Sequence, residues 1–371
     1  MNSYTKNIVL IIRWFVGLLF IFSGLVKAND PLGLSYKMQE FFEVWDLHFL
    51  NDYTLAFSLL MNVFEVLAGV AVIIGWGMRL FNWLLLLLII FFSFLTGYAL
   101  FSGKIKTCGC FGDCLPLTPA QSFVKDIILL VLIVILFRYR KKITSSLKPI
   151  VAVCLLVFCT VSVGELQAYV LKHLPLVDCL PYKKGNDLVQ QMQPPPNAVQ
   201  DSVVMLFKYR KDGKVSEYTA ETLPEGLDST YEFIDRTDKV VRKGNAIPPI
   251  ADFALFTLND TDTTEALLHS ADKYVLMFAK DLSTFDKWMN DDFKKYMQAL
   301  QQKQIHFYIV TADKQGAEKL IGNLPADFLL CDATVIKTAA RVNPTYFVMH
   351  GAAVIDKFSY ADLEKHIQTV Q

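Results

Sequence analysis

Five long apolar segments constrain this chain more than any other feature of its sequence. Each approaches the roughly 20 residues that a helix needs to cross a ~30 Å hydrocarbon layer, although the fourth is shorter. They are predicted at residues 7–27, 54–74, 80–100, 122–137 and 147–171 of the 371 residues. In lipid, only helices and closed barrels satisfy their own backbone groups. The sequence therefore predicts an α-helical bundle embedded in the lipid bilayer. No charge pattern suggests that the protein binds nucleic acid.

Basic residues between the segments predict the orientation of the bundle. Arg138, Arg140, Lys141 and Lys142 lie between the fourth and fifth segments, and such loops stay on the cytoplasmic side. If successive segments cross the membrane in alternating directions, the N-terminus is cytoplasmic. The loop after the third segment and everything after the fifth segment are then outside. We therefore expect a multi-pass protein of a bacterial inner membrane with a periplasmic C-terminal part. The first segment is longer than the apolar region of a signal peptide and is expected to be retained.

Charged residues inside apolar segments are costly, so each one needs a reason. Glu65 lies near the middle of the second segment, and Arg13 in the first segment is its expected partner by depth. A structural ion pair is one interpretation, and a proton-relay or ligand role is the other. Asp126, beside Lys125 near the outer end of the fourth segment, either accepts a proton during thiol chemistry or is a solvated charge that favours a helix start.

The loop between the third and fourth segments carries three of the seven cysteines: Cys108, Cys110 and Cys114. Cys179 follows the fifth segment on the same predicted side, in a compartment that permits disulfides. One interpretation is a structural clip, and a second is a redox-active Cys108–Cys110 pair resolved by Cys114 or Cys179. The third is a soft-metal site, but zinc prefers a fourth ligand and wider spacing, so we assign no metal. The four thiols allow three connectivities as two disulfides, and the sequence does not choose among them.

Several strings within the first 140 residues resemble the DoxX/MauE superfamily of membrane proteins. They are Phe22–Ala28 followed by Asp30 and Pro31, then Glu65–Gly69, and Cys108–Gly112 ahead of Lys125 and Asp126. The resemblance implies a four-helix core, to which the fifth segment is an addition. It also implies the association of the MauE branch with periplasmic redox chemistry and disulfide maturation. By analogy alone it makes a quinone a candidate electron acceptor, with the residues that would bind it unknown.

The rest of the chain predicts a multi-domain protein in which a small β module and an α/β domain follow the bundle. Residues 202–219 read as a hairpin turning at Asp212 and Gly213, and residues 231–235 and 239–242 as a second strand pair. Later segments alternate strands and helices, as in α/β layers. They resemble thioredoxin-like domains of the TlpA type, which would make Pro344 the cis-proline. The predicted domains are 1–145, 146–173, 174–245 and 246–371.

The thioredoxin-like domain lacks the residues that carry its family's chemistry. Where Cys-x-x-Cys would follow the first core strand, the sequence runs from Phe278 through Lys280 and Asp281 to Phe285 without a cysteine. Without a thiolate there is no dithiol exchange at that position. The domain is therefore predicted to be a degenerate thioredoxin fold that binds a partner and does not catalyse thiol exchange. Its one cysteine, Cys331, is expected to be a buried small hydrophobe.

These observations favour a membrane protein that takes part in periplasmic thiol–disulfide electron transfer or protein maturation, whose C-terminal domain binds a client or redox partner. The alternative is a non-enzymatic, membrane-anchored assembly or scaffold protein with structural cysteines, which the missing Cys-x-x-Cys favours. Solute transport ranks last, because no internal repeat is visible in the bundle. Client, electron acceptor, oligomeric state and enzymatic status stay open at this level.

Overall fold

The computed structural model describes residues 3–105, 109, 111–199, 202–224, 227–242, 244, 246–322, 324 and 326–370, without the side chains of residues 240 and 368–370. Cys108 and Cys110 lie outside the described residues.

The first half of the chain is helical, and five of its described helices are long and apolar enough to cross a membrane. The helices are α1 (Ser3–Asn29), α2 (Pro31–Val44), α3 (Thr54–Ile74), α4 (Met78–Ser102), α5 (Pro119–Tyr139) and α6 (Pro149–His173). All except α2 correspond to the five predicted segments, which confirms the helical membrane region. The loop of residues 103–118, hereafter the cysteine loop, joins α4 to α5. The side of the bundle that carries it is called the loop side.

Small residues bring α1 and α3 into direct backbone contact. A Cβ atom on Gly17 would lie 2.8 Å from the carbonyl oxygen of Gly69, and one on Gly69 would lie 2.6 Å from the carbonyl oxygen of Gly17. A Cβ on Gly24 would likewise meet Val66 at 2.7 Å. Without a hydrophobic force between helices in lipid, such close approach and the packing it permits hold transmembrane helices together. Gly24 and Gly69 in the strings quoted above are therefore explained by packing.

The short helix α2 lies on the loop side, between α1 and α3. Asp30 caps its first turn by accepting a hydrogen bond of 3.0 Å from the backbone nitrogen of Gly33, and Pro31 occupies the first helical position. The helix begins at Pro31, directly after this cap. The cap decides the start, because Asp followed by Pro is a stronger signal than apolar periodicity.

Asn186–Phe253 forms a compact unit of its own. After α7 (Leu188–Gln191) it contains a three-stranded antiparallel sheet of order β2-β1-β3, built from β1 (Ser202–Lys211), β2 (Lys214–Thr219) and β3 (Glu232–Arg242). The hairpin of β1 and β2 is confirmed, with Asp212 and Gly213 both at positive φ, as its tight turn requires. The predicted second hairpin is wrong. Its two halves are one continuous strand, β3, which pairs along β1 and has no glycine that would favour a turn.

The remaining C-terminal part carries a mixed six-stranded sheet of order β4-β7-β6-β5-β8-β9. Strands β5, β6 and β7 are parallel, and β8 and β9 are antiparallel to their neighbours. The elements are β4 (Phe256–Thr257), α8 (Thr264–Leu268), β5 (Lys273–Phe278), α9 (Phe285–Trp288), α10 (Asp291–Gln302), β6 (His306–Thr311), α11 (Lys314–Leu320), β7 (Asp327–Leu330), α12 (Ala333–Ala339), β8 (Thr345–His350), β9 (Ala353–Ser359) and α13 (Leu363–Val370). This is the expected thioredoxin-like order of strands and helices.

Helices α9 and α10 are separate, because the side chain of Asn290 accepts a hydrogen bond of 2.9 Å from the backbone nitrogen of Phe293 and starts a new helix. Strand β7 was not predicted, since the three apolar residues that follow Asp327 carry too little periodicity to be assigned. The domain packs with the bundle: the described residues up to Gly185 and from Ala254 onward form one compact unit.

Candidate functional site

A cavity of about 690 Å³ lies inside the bundle, between α1, α2, α3, α4 and α5. Its walls are largely apolar and aromatic, with Phe41, Trp45 and Phe92 among them. The same walls include two lysine–carboxylate pairs and the backbone of Gly109 in the cysteine loop. Apolar walls with a few convergent polar groups are typical of a small-molecule site.

The first pair is an ion pair between Lys27 on α1 and Glu65 on α3. The lysine side chain is 2% exposed and the carboxylate is 0% exposed, and Lys27 Nζ donates to Glu65 Oε1. Lys27 also lies 5.3 Å from the ring centre of Phe92. The second carboxylate oxygen, Oε2, has no hydrogen-bond partner within the part of the chain that the structure describes. A buried acceptor without a donor costs free energy, so a ligand that donates a hydrogen bond there would be stabilised.

The prediction that Arg13 pairs with Glu65 is wrong. Arg13 Nε donates to the carbonyl oxygen of Val72 at 3.0 Å, and Nη2 donates to that of Ile73 at 2.7 Å. The direction of helical side chains explains the difference, because Cα–Cβ bonds tilt towards the helix N-terminus. Arg13 therefore reaches away from the loop side, to carbonyl oxygens in the last turn of α3. Lys27, fourteen positions later, reaches back into the bundle towards Glu65.

The second pair is formed by consecutive residues of α5. Lys125 Nζ lies 2.7 Å from Asp126 Oδ1, and the hydroxyl of Thr96 on α4 donates to Asp126 Oδ2 at 3.0 Å. The Asp126 side chain is 0% exposed, so the interpretation as a solvated helix-start charge is wrong. Lys125 also lies 5.1 Å from the ring centre of Phe111 in the cysteine loop. This pair therefore joins the cavity to the loop.

Two of the four candidate cysteines are joined to each other. Cys114 in the cysteine loop and Cys179 after α6 form a disulfide, with their Cα atoms 4.9 Å apart. This bond joins that part of the loop covalently to the segment after α6. The predicted pairing of Cys108 with Cys110 falls outside the described residues and stays a prediction. Gly109, which separates them in the sequence, lies at φ 65°, and a Cβ there would meet the side chain of Lys37 at 3.1 Å.

The thioredoxin-like domain places Lys280 and Asp281 directly after β5, where the thiols of an active member would stand. The backbone nitrogen of Lys280 donates to Asn343 Oδ1 at 2.7 Å, which joins this loop to the one before β8. The Asn343–Pro344 peptide bond is cis. Cys331 is buried, and burial raises the pKa of its thiol to about 12. It is therefore held as an unreactive thiol.

Comparison with known proteins agrees with the geometry of the bundle. Residues 5–139 match the model of the family described as methylamine utilisation protein MauE. This part of the chain is a MauE-type membrane domain. It contains the walls of the cavity and the cysteine loop, while α6 lies beyond it.

A second family model and one curated protein also match the chain. Residues 203–243 match a family described as a domain of unknown function. Over 134 residues the chain is 30% identical to Protein TlpB of Flavobacterium psychrophilum, which is 35% of this chain and 36% of the relative. The match thus spans about a third of the length of that curated relative. No solved structure matches the chain.

Sequence reasoning missed the role of Lys27, the last residue of the first predicted segment. The direction of helical side chains was a signal that could have placed it inside the bundle. It also missed Arg341, which is 4% exposed and bonds to Asp30 and Asp113. No local pattern marks a contact between residues more than 200 positions apart.

Proposed function

We propose that this membrane-associated redox protein passes electrons between thiols of the cysteine loop and a lipid-soluble quinone bound in the cavity. One observation carries the proposal. Gly109, which lies between Cys108 and Cys110 in the sequence, lines the same cavity as the Lys27–Glu65 and Lys125–Asp126 pairs. A redox-active loop and a largely apolar binding site with a few buried charges would then be neighbours.

The chemistry of the cavity suits a quinone and its reduced form. Apolar and aromatic walls accept the ring and its hydrocarbon tail. Ring carbonyl oxygens accept hydrogen bonds, which Lys27 and Lys125 are able to donate. The hydroxyl groups of the quinol donate, and the unpartnered Oε2 of Glu65 is a buried acceptor for one of them. The same side chains therefore accommodate both oxidation states.

The proposed reaction balances with a quinone as the oxidant. Two thiols of Cys108 and Cys110 lose their protons and form one S–S bond, and two electrons and two protons reduce the quinone to the quinol. Glu65 and Asp126 are the buried carboxylates that would relay these protons. A client thiolate then attacks the new disulfide and forms a mixed disulfide, which a second client thiol resolves. The loop returns to its dithiol form and the client leaves oxidised, in the periplasm if the predicted orientation holds.

A membrane-anchored scaffold is the second candidate. The Cys114–Cys179 disulfide favours it, because that bond already uses two of the four candidate cysteines in a structural clip. In this alternative Cys108 and Cys110 would also be structural, and the cavity would hold a lipid chain.

Trapping experiments on the full-length protein in membranes separate the two candidates. A client peptide that keeps only one of its two cysteines lacks the thiol that would resolve the mixed disulfide, so its adduct with the loop of the wild-type protein should accumulate. The Cys108→Ser/Cys110→Ser double variant should trap nothing. Cys154→Ser is the matched control, because it removes an exposed free cysteine of α6 and should leave the wild-type pattern unchanged. If no variant traps a client, the redox proposal is wrong and the scaffold is favoured.

Quinone coupling needs a second measurement. Purified protein in lipid nanodiscs would be supplied with a reduced dithiol peptide and a short-chain quinone, and quinol formation followed spectroscopically. Asp126→Asn and Glu65→Gln should slow quinol formation more than tenfold, the scale expected when one proton-transfer group is lost. Trapping of a client without quinol formation would support thiol exchange at the loop and refute the quinone as its electron acceptor.

A further inference from the structure

The thioredoxin-like domain contacts the MauE-type domain through the face on which an active thioredoxin would carry its thiols. Lys280 follows β5 and Arg341 precedes β8, and Lys280 Nζ donates to the carbonyl oxygen of Arg341 at 2.9 Å. The same Nζ donates to the hydroxyl of Tyr36 on α2 at 3.1 Å. The face is therefore engaged by the chain itself.

Arg341 is the centre of this contact and connects two elements of the membrane part. Its Nε lies 2.8 Å from Asp30 Oδ2 at the start of α2, and its Nη2 lies 2.6 Å from Asp113 Oδ2 in the cysteine loop. Burial would lower the pKa of Arg341, but the two carboxylates outweigh it and the pKa is raised. A planar guanidinium suits such bridging of carboxylates. Gly33 leaves room for it, since a Cβ there would meet Arg341 Nη2 at 3.2 Å.

A second buried cation of the same domain makes a similar ion pair beside the other cysteine of the disulfide, Cys179. Lys357 on β9 has a side chain that is 4% exposed, and its Nζ lies 2.7 Å from Asp178 Oδ2. Burial lowers the pKa of Lys357 although Asp178 opposes the shift. Burying a cation this deeply is costly unless it is paired, so the contact with Asp178 is needed by the domain as well as by the tether.

The sequence positions of the two carboxylates relate these contacts to the disulfide. Asp113 immediately precedes Cys114, and Asp178 immediately precedes Cys179. Each half of the disulfide thus adjoins a carboxylate that a buried cation of the thioredoxin-like domain holds. These two ion pairs, one beside each cysteine, fix the relative position of the two chain segments that the disulfide joins.

We infer that the thioredoxin-like domain is a two-point clamp on the Cys114–Cys179 disulfide, in which Arg341 and Lys357 are positioning residues that keep its two chains together. With the clamp in place, the two thiols produced by reduction stay adjacent and re-form the bond at a high effective concentration. The domain's former active-site face serves this internal contact and not a client. The inference stands apart from the proposed redox role of Cys108 and Cys110.

The clamp is tested by the rate at which a dithiol reductant opens the Cys114–Cys179 bond in the full-length protein. The reductant thiolate attacks one sulfur and releases the other cysteine as a thiolate. The second reductant thiol then displaces the attacked cysteine from the mixed disulfide, and the products are two cysteine thiols and an oxidised reductant. Arg341→Gln and Lys357→Gln should each speed net opening about tenfold, near the middle of the range expected from losing one coupled contact. The bond is followed by mass spectrometry of alkylated Cys114 and Cys179.

Matched variants separate the clamp from general loss of folding. Lys184→Gln removes a neighbouring lysine that is 65% exposed and pairs with Asp356, and it should leave the rate unchanged. Lys357→Arg keeps the charge and should restore most of the wild-type rate, whereas a merely loosened fold would not respond to charge. Asp113→Asn combined with Arg341→Gln should add little to Arg341→Gln alone, because Arg341→Gln already removes the contact with Asp113.

The outcomes are distinct from those of the trapping experiment. Rates within twofold of wild type for both Arg341→Gln and Lys357→Gln would overturn the clamp, and so would equal acceleration in Lys184→Gln. Faster opening together with an absence of trapped clients would keep the clamp and refute the redox role of Cys108 and Cys110.

Discussion

The Lys27–Glu65 pair allows a sharp test of how the bundle tolerates buried charge. Lys27→Met removes the cation and leaves a carboxyl that is 0% exposed with both oxygens unpartnered. Breaking a buried pair from one side costs about 3–5 kcal/mol. We expect the low end of this range, a loss of about 3 kcal/mol in the free energy of unfolding.

The double variant Lys27→Met/Glu65→Leu provides the contrast. It replaces both charges by apolar groups, which is often neutral or stabilising for buried pairs, so we expect a change of about 1 kcal/mol or less. Lys37→Met is the control, because the Lys37–Glu40 pair is 27% and 37% exposed and such pairs contribute about 0–1 kcal/mol. Unfolding would be measured by denaturant titration in one detergent. A double variant as unstable as the sum of the two single changes would refute the reasoning.

Three further predictions concern other parts of the molecule. The pKa of Lys280 is lowered to about 8, first by burial and then by Arg341, while the unfolded chain keeps that proton to about pH 10.4. Stability should therefore rise by about 2 kcal/mol from pH 8 to pH 10, and equal pH slopes of the unfolding midpoint in wild type and Lys280→Met would contradict this. Cys114→Ser/Cys179→Ser opens a loop of 65 residues and should cost about 4 kcal/mol in the absence of reductant; an unchanged midpoint would show that the clip is not stabilising. Gly69→Ala forces a Cβ to within 2.6 Å of a backbone oxygen and should cost about 1–3 kcal/mol by differential scanning fluorimetry. Gly164→Ala, with open space around it, should cost nothing, and equal losses in the two variants would count against close helix packing.

The helical part of the fold was predictable because its signal is local. The apolar segments are defined by composition and by the thickness of a bilayer, so their number and approximate ends were found without tertiary information. The hairpin at Asp212 and Gly213 was found for a similar reason, since its turn needs residues that tolerate positive φ. Strand β3 was not predicted as one continuous strand, because it is held by hydrogen bonds to β1 and local propensity does not predict such pairing.

The candidate site was less predictable, because its parts meet only after folding. Glu65 and Asp126 were recognised as unusual from burial cost alone, but the partner of Glu65 was misassigned when depth was used without side-chain direction. Arg341 gave no signal, since a single arginine before a predicted cis-proline is an ordinary surface residue until Asp30 and Asp113 lie beside it.

The Cys114–Cys179 bond has a consequence for the assembly of the protein. It closes a covalent ring that contains α5 and α6, the last two helices able to cross the membrane. The ring can close only after both helices have crossed, because its two cysteines flank that helical hairpin and must meet on the loop side. Ring closure therefore reports completed insertion, and a chain whose sixth helix failed to insert would keep both thiols free and open to alkylation.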